Sequence, residues 1–130
     1  MQLILTHVNS ELPLYTYVNF KHLRINNPDL TIKMICHKHH QGLTPLRMME
    51  KFNIELVPYE DFEKDDRVEQ FKQMSWYDAW GTPNTRYPSP PKFVQGTSER
   101  LYALEAYCRQ TKAVDVFHVE NDVMVYTPLS

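Results

Sequence analysis

Leu3-Ile4-Leu5-Thr6-His7-Val8 is an apolar run near the start of the chain that predicts a buried β-strand. The polar group Asn9-Ser10-Glu11 follows it before Pro13, which favours the opening of a helix over residues 14–25. Residues 30–36 alternate apolar and polar side chains and predict a second strand. A strand, a helix and a strand in this order form a βαβ unit, which implies a parallel sheet. The sequence therefore predicts an α/β fold.

The rest of the chain continues the alternation of helices and strands. A second helix is expected from Thr44-Pro45 to Phe52, capped by Thr44 or the residue before it, and the segment 54–58 predicts a third strand stopped by proline. The segment 67–71 favours a short helix, and the proline-rich segment 82–91 favours a long loop that could act as a lid.

Two helices show apolar side chains at helical spacing. On the first, one face carries Leu14, Tyr17, Val18, Lys21 and Ile25. Gly96-Thr97-Ser98-Glu99 is typical of a helix start, with Thr97 or Ser98 as the cap. The helix that follows carries Leu101, Leu104, Glu105 and Cys108 at helical spacing.

Composition excludes several classes of protein. With 130 residues, of which 42% are hydrophobic and 23% charged, the chain is a single domain (1–130) that can bury a core. The net charge of −2 argues against nucleic acid as a partner. No apolar stretch has the length of a membrane span, and no cationic leader precedes Leu3. These features, with the distant cysteines Cys36 and Cys108, favour a cytoplasmic location.

An acidic triplet interrupts the apolar segment 115–126. Residues two apart in an extended segment point to the same side, so Glu120 and Asp122 could offer their carboxylates to one ion. Hard oxygen ligands suit Mg²⁺ or Mn²⁺, which keep other positions for water and phosphate oxygens. The alternative is a turn whose Glu120-Asn121-Asp122 faces water.

The segment 96–129 resembles the central block of glycosyltransferases that use nucleotide sugars and have the GT-A fold. Their Asp-X-Asp signature follows a helix and a strand, and a variant with Glu in the first position is also seen, as in Glu120-Asn121-Asp122. The chain is similar in particular to a glycosyltransferase domain of large algal viruses. The resemblance implies a Rossmann-like GT-A nucleotide-diphospho-sugar transferase fold with a mostly parallel sheet flanked by helices, and a location in the host cytoplasm.

The resemblance also implies roles for particular residues. Glu120 and Asp122 would hold Mn²⁺ or Mg²⁺ against the diphosphate of a UDP- or GDP-linked sugar. The nucleotide-sugar pocket would be lined by Thr6, His7, Asn9, Arg100 and Asn121. The sugar would pass to the hydroxyl of a glycan or another acceptor. Because much of the acceptor site follows this block in the family, the chain is expected to be the donor-binding, N-terminal part of an incomplete fold.

Arg100 and Asp78 are also candidates from the residues alone. Arg100 falls in the first turn of the helix predicted from Gly96, where its charge opposes the helix dipole and needs a diphosphate or Asp122 as partner. Asp78 lies among aromatic residues in the segment 75–81, which is typical of a sugar contact or a catalytic base. The alternative, which the composition of the segment favours, is an aromatic cluster packed under a loop.

Other interpretations remain open at this stage. His37-Lys38-His39-His40 could hold a metal, although a solvated loop is favoured because consecutive histidines rarely converge on one ion. A nucleotidyltransferase would need a glycine-rich, basic loop after the first strand, which residues 8–11 lack. A non-catalytic module that binds nucleotide sugars or assembles with other chains is the remaining alternative.

Overall fold

The computed structural model describes residues 1–73 and 93–129, with the backbone alone for residues 93–95. Within these ranges the chain forms four strands and four α-helices. The strands are β1 (Gln2–His7), β2 (Thr31–Cys36), β3 (Ile54–Pro58) and β4 (Val116–His118). The helices are α1 (Tyr15–Asn26), α2 (Leu43–Lys51), α3 (Asp66–Gln73) and α4 (Phe93–Thr111). Two short 3₁₀ helices cover Lys38–His40 and Tyr59–Asp61.

The strands form one parallel sheet in the order β3-β2-β1-β4. Leu5 pairs with Met34 across the centre, and Ile4 pairs with His118 at the end of β4. The predicted α/β fold with a parallel sheet flanked by helices is confirmed, and the first three strands lie within one residue of their predicted bounds.

Both faces of the sheet are buried, as in most parallel sheets. Leu3, Leu5 and Met34 point to the face that also packs against α1 and α2. Ile4 and Ile35 point to the opposite face, which α3 and α4 cover. This alternation of two apolar faces explains why Leu3, Ile4 and Leu5 of β1 are apolar in succession.

The face predicted for packing on α1 is wrong. Leu14, Val18 and Ile25 are between 51% and 79% exposed. The residues of α1 that are buried instead are Thr16, Asn19, Phe20 and Leu23. Two of these four are polar, and Asn19 uses its amide to hold a distant loop, so hydrophobicity alone pointed to the wrong side of this helix.

The predicted starts of α2 and α4 also need correction. Gly42 is the N-cap of α2, and Thr44 lies inside the helix. Helix α4 begins at Phe93, so Thr97 and Ser98 are interior residues and not caps. Leu101 is 52% exposed, and the face of α4 that packs on the sheet carries Ala103, Ala106 and Tyr107. None of the helices in the described ranges is long and apolar enough to cross a membrane.

Candidate functional site

The order of the strands places a crevice at the carboxyl edge of the sheet. Because β2 and β4 lie on opposite sides of β1, the strand order reverses at β1, and ligands of open α/β sheets bind beyond the carboxyl ends of the strands at such a point. Thr6 near the end of β1 and His118 at the end of β4 face each other, with 3.2 Å between Thr6 Oγ1 and His118 Nε2. Thr6 is fully buried, so this contact joins the ends of β1 and β4 inside the protein.

The acidic triplet forms a turn at this edge. The Val123 N–H donates to the Glu120 carbonyl oxygen at 3.0 Å, so the expected extended geometry, with Glu120 and Asp122 side by side on a strand, is wrong. The Asp122 side chain is exposed and makes no hydrogen bond or ion pair within the described residues. Its charge raises the pKa of Tyr15 in addition to the effect of burial, which places the Asp122 carboxylate near the start of α1.

Arg100 is the partner of Glu120. Its Nη1 lies 2.7 Å from Glu120 Oε2, and both side chains are partly buried. Arg100 lies seven residues after the start of α4, so the expected opposition to the helix dipole does not apply. A diphosphate or Asp122 was the predicted partner of the Arg100 charge, but in this structure the partner is Glu120.

Asn121, the middle residue of the turn, is anchored in the protein. Its backbone carbonyl accepts from Asn19 Nδ2 at 2.9 Å, and its side-chain Nδ2 lies 3.0 Å from His7 Nδ1. An amide N–H₂ can only donate, so His7 accepts at Nδ1 and carries its proton at Nε2, 2.8 Å from Ser10 Oγ. Burial lowers the pKa of His7, a hydrogen bond with the Glu11 backbone opposes this in part, and the charge of Arg100 lowers the pKa further. His7 is thus a neutral imidazole that links β1 to the acidic turn.

Asn9 follows β1 in a left-handed backbone conformation with φ of 72°. Its backbone N–H donates to His37 Nδ1 at 2.9 Å, and its side-chain Nδ2 donates to Glu99 Oε2 at 3.0 Å. Asparagine tolerates this conformation better than most residues do. The loop after β1 is therefore held on two sides by side chains from distant parts of the chain.

Glu99 is a residue of the site that sequence reasoning missed. It is 1% exposed, and its carboxylate accepts from the Tyr59 hydroxyl and lies 3.0 Å from Lys72 Nζ. Burial alone would raise its pKa, but the hydrogen bonds from Tyr59, Asn9 and Lys72 hold the pKa below its ordinary value. A signal was present, because Glu99 shares the spacing of Ala103 and Ala106 on the buried face of α4.

His37 corrects the expectation of a solvated histidine loop. His39 and His40 are exposed, but His37 is buried under the 3₁₀ helix Lys38–His40. Its Nε2 lies 2.5 Å from Glu63 Oε1, and its ring packs edge-on against Tyr59. Burial lowers the pKa of His37, and Glu63 opposes this effect only in part.

Stability is expected to depend on the protonation of His37. In the unfolded chain the histidine binds a proton near the ordinary pKa of 6.5, whereas in the folded chain it does so only at lower pH. The unfolded state therefore holds more protons below pH 6.5, and the melting temperature should fall as the pH is lowered from 7.5 towards 5. Thermal unfolding of the wild type and of His37→Gln, whose amide keeps one acceptor and one donor but takes up no proton, measures this contribution.

The expected result is a weaker dependence of melting temperature on pH in His37→Gln than in the wild type. His22→Gln is the matched control, because His22 lies on α1 against Tyr126 and away from the crevice. If His37→Gln and the wild type lose the same number of degrees between pH 7.5 and 5, the assignment of His37 is incorrect.

The described residues contain no group of three or more His, Cys, Asp or Glu side chains that could hold a metal ion. A cation at the crevice would thus have at most the two carboxylates Glu120 and Asp122 from this part of the chain. Asp78, the segment 75–81 and the loop 82–91 lie outside the described residues, and the roles expected of them stay predictions.

Two clefts of about 360 and 400 Å³ lie at the amino edge of the sheet, opposite the crevice. The turn at Asn27–Thr31 borders both. Arg24 lines the second cleft, but its guanidinium already donates to five backbone carbonyl oxygens and therefore has a structural role. The carboxyl edge, where titratable groups converge, is therefore the stronger candidate.

Comparison with known proteins adds information on the fold. No family model matches the chain, and no curated protein matches it. A solved structure described as "PaToxG Glycosyltransferase" is similar to it, with a TM-score of 0.51 and 11% sequence identity. The likeness covers 98% of this chain and 44% of the other, so this chain spans less than half of that protein's length. At this identity the likeness shows the fold alone, a Rossmann-like α/β fold that this chain shares with part of that structure.

Proposed function

We propose that this chain is the donor-binding part of a glycosyltransferase that transfers a sugar from a UDP- or GDP-linked donor to an acceptor hydroxyl. The observation that carries the proposal is the ion pair of Arg100 and Glu120 beside the His7–Asn121 contact, at the carboxyl ends of β1 and β4. The Arg100 guanidinium can bind the oxygens of a diphosphate, and the neighbouring carboxylates of Glu120 and Asp122 can bind its counter-cation. The likeness in fold to a glycosyltransferase supports the same function.

Each candidate residue of the site has a role in this proposal. Arg100 binds diphosphate oxygens, and the nucleotide is held by His7 and Asn9, which the buried Thr6 and Asn121 support from within the protein. The exposed Asp122 and the partly exposed Glu120 fit Mn²⁺ or Mg²⁺, since these ions are commonly held by one or two carboxylates, with water and substrate phosphates completing the shell. When bound, the cation would neutralise charge on the leaving diphosphate.

The proposals for the acceptor, the catalytic base and the source of the protein rest on the sequence alone. Asp78 remains the proposed sugar contact or base. The similarity to a glycosyltransferase domain of large algal viruses, read from the segment 96–129, also stays a prediction. A binding module without turnover would use the same donor site, so sugar transfer or hydrolysis of a nucleotide sugar distinguishes the two.

Calorimetric titration with UDP and with GDP, each with and without Mn²⁺, tests the donor site. We expect Mn²⁺ to raise the affinity of the wild type for one of them about tenfold, and Asp122→Ala to abolish that gain because one carboxylate is lost. Asp29→Ala removes an exposed carboxylate at the opposite edge of the sheet and should behave as the wild type. Failure of the folded wild type to bind either nucleotide would refute the proposed function.

A further inference from the structure

The ion pair of Arg100 and Glu120 is close but lacks an aligned hydrogen bond. Arg100 Nη1 lies 2.7 Å from Glu120 Oε2, yet this buried oxygen accepts no hydrogen bond of good angle within the described residues. Arg100 Nε is also buried there without an acceptor. A guanidinium that binds two oxygens in parallel makes a stronger contact than this one. The pair therefore leaves part of the hydrogen-bonding capacity of Arg100 unused.

The groups around this pair leave Glu120 as the competitor of any anion that binds Arg100. Burial lowers the pKa of His7 at the end of β1 and of His118 at the end of β4, so both imidazoles are uncharged at neutral pH. In the described part of the chain, Glu120 carries the only carboxylate that pairs with Arg100. An anion that approaches the Arg100 guanidinium must therefore displace Glu120.

We propose that Glu120 is an internal competitor for Arg100, so that the protein binds a nucleoside diphosphate weakly until a divalent cation takes up the Glu120 carboxylate. The inference rests on the proposed donor site and adds its regulation. A diphosphate offers enough oxygens for Nε and Nη of Arg100 at once, but it reaches them only when the contact with Glu120 opens. The free energy of that contact is subtracted from nucleotide binding.

This competition gives the two carboxylates of the turn different effects on nucleotide binding. With a cation, Glu120 and Asp122 both supply ligands and strengthen binding. Without a cation, Glu120 withholds Arg100, whereas Asp122 makes no ion pair with it among the described residues. Asp122 is nevertheless close by, because its charge and that of Arg100 both act on the Tyr15 hydroxyl. Neutralising Glu120 should thus raise cation-free affinity more than neutralising Asp122.

NMR titration in EDTA, with whichever of UDP and GDP the wild type binds in the presence of Mn²⁺, tests this inequality. Glu120→Gln should bind the nucleotide about tenfold more tightly than the wild type, since Arg100 regains a charge-assisted hydrogen bond to phosphate. Asp122→Asn removes the same charge from the same turn and should gain at most about twofold, because exposed charges are screened by salt. Glu105→Gln, in an exposed ion pair elsewhere on α4, should equal the wild type.

Removal of Arg100 shows whether the gain passes through this residue. In the Glu120→Gln background, Arg100→Gln should abolish the whole gain. In the wild-type background without a cation, Arg100→Gln should weaken nucleotide binding by less than about threefold, because Glu120 already withholds the guanidinium. With Mn²⁺, where calorimetry gives the affinity, the same substitution should cause a much larger loss.

The outcomes separate the inference from the proposed function. A folded Glu120→Gln that gains no more than Asp122→Asn, or a gain that persists in the double variant, would overturn the inference. If circular dichroism shows that Glu120→Gln is unfolded, Arg100→Gln alone decides, since an equal loss with and without Mn²⁺ would mean that Glu120 does not withhold Arg100. A wild type that binds neither nucleotide with Mn²⁺ would instead overturn the proposed function.

Discussion

Replacement of Arg24 by methionine is expected to lower the free energy of unfolding by about 3–4 kcal/mol, because several hydrogen bonds from one charged group are lost together. The Arg24 guanidinium donates to the carbonyl oxygens of Phe52 and Asn53, at 2.8 Å each, in the turn between α2 and β3. It also donates to the carbonyl oxygens of Asn27, Pro28 and Leu30, before β2. One side chain thus fixes both turns at the amino edge of the sheet.

Urea unfolding measures this loss, which corresponds to a midpoint lower by about 1–3 M for a domain of this size. Arg24→Lys should recover only part of it, because an ammonium group cannot reach carbonyls on both sides as a planar fork does. Arg47→Met is the matched control, since Arg47 is exposed on α2 and makes no side-chain hydrogen bond within the described ranges. A midpoint for Arg24→Met within about 0.3 M of the Arg47→Met value would contradict the assignment.

The strands could be predicted because local patterns determine them. The apolar run of β1, the alternation in β2 and the proline at the end of β3 gave bounds within a residue of those observed. Buried parallel strands are apolar on both faces, so their signal does not depend on knowing which neighbour packs where.

The helix faces and starts were harder for a physical reason. On α1 the buried face includes Thr16 and Asn19, and Asn19 is buried there to hold the carbonyl of Asn121. In α4 the residues from Gly96 predict the start of the helix, but the helix begins at Phe93, continues through Gly96 and packs close to Asn9. Tertiary contacts override local propensity at both places.

The contacts that build the site join residues that are far apart in the sequence. His7 meets Asn121 across 114 positions, and Asn9 meets Glu99 across 90. Residue types at strand ends predicted several of the residues that converge, but no local pattern could show that Arg100 pairs with Glu120 or that Glu99 orients Asn9. These pairings depend on the order of strands in the sheet, which only the fold supplies.

Arg100→Gln is expected to weaken the binding of UDP with Mn²⁺ by about 30- to 100-fold, since charge-assisted hydrogen bonds to a phosphate are worth about 2–3 kcal/mol. Arg100 Nη1 already lies 2.7 Å from the Glu120 carboxylate, so the guanidinium is placed where it can bind an anion at this edge of the sheet. Burial lowers the pKa values of both His7 and His118; the charge of Arg100 adds to this effect, while the Glu11 backbone at His7 and the Glu120 carboxylate at His118 oppose it. Removing Arg100 takes away positive charge where the diphosphate is proposed to bind.

The same variant should have the opposite effect on Mn²⁺ in the absence of nucleotide. Glu120 loses its internal counter-charge in Arg100→Gln, so Mn²⁺ alone should bind more tightly than it does to the wild type. Arg109→Gln, on the same helix but paired with Asp65 and Glu105, should change neither affinity. Weakened binding of both ligands with an altered circular dichroism spectrum would indicate unfolding. Unchanged UDP binding by a folded Arg100→Gln would remove Arg100 from the donor site.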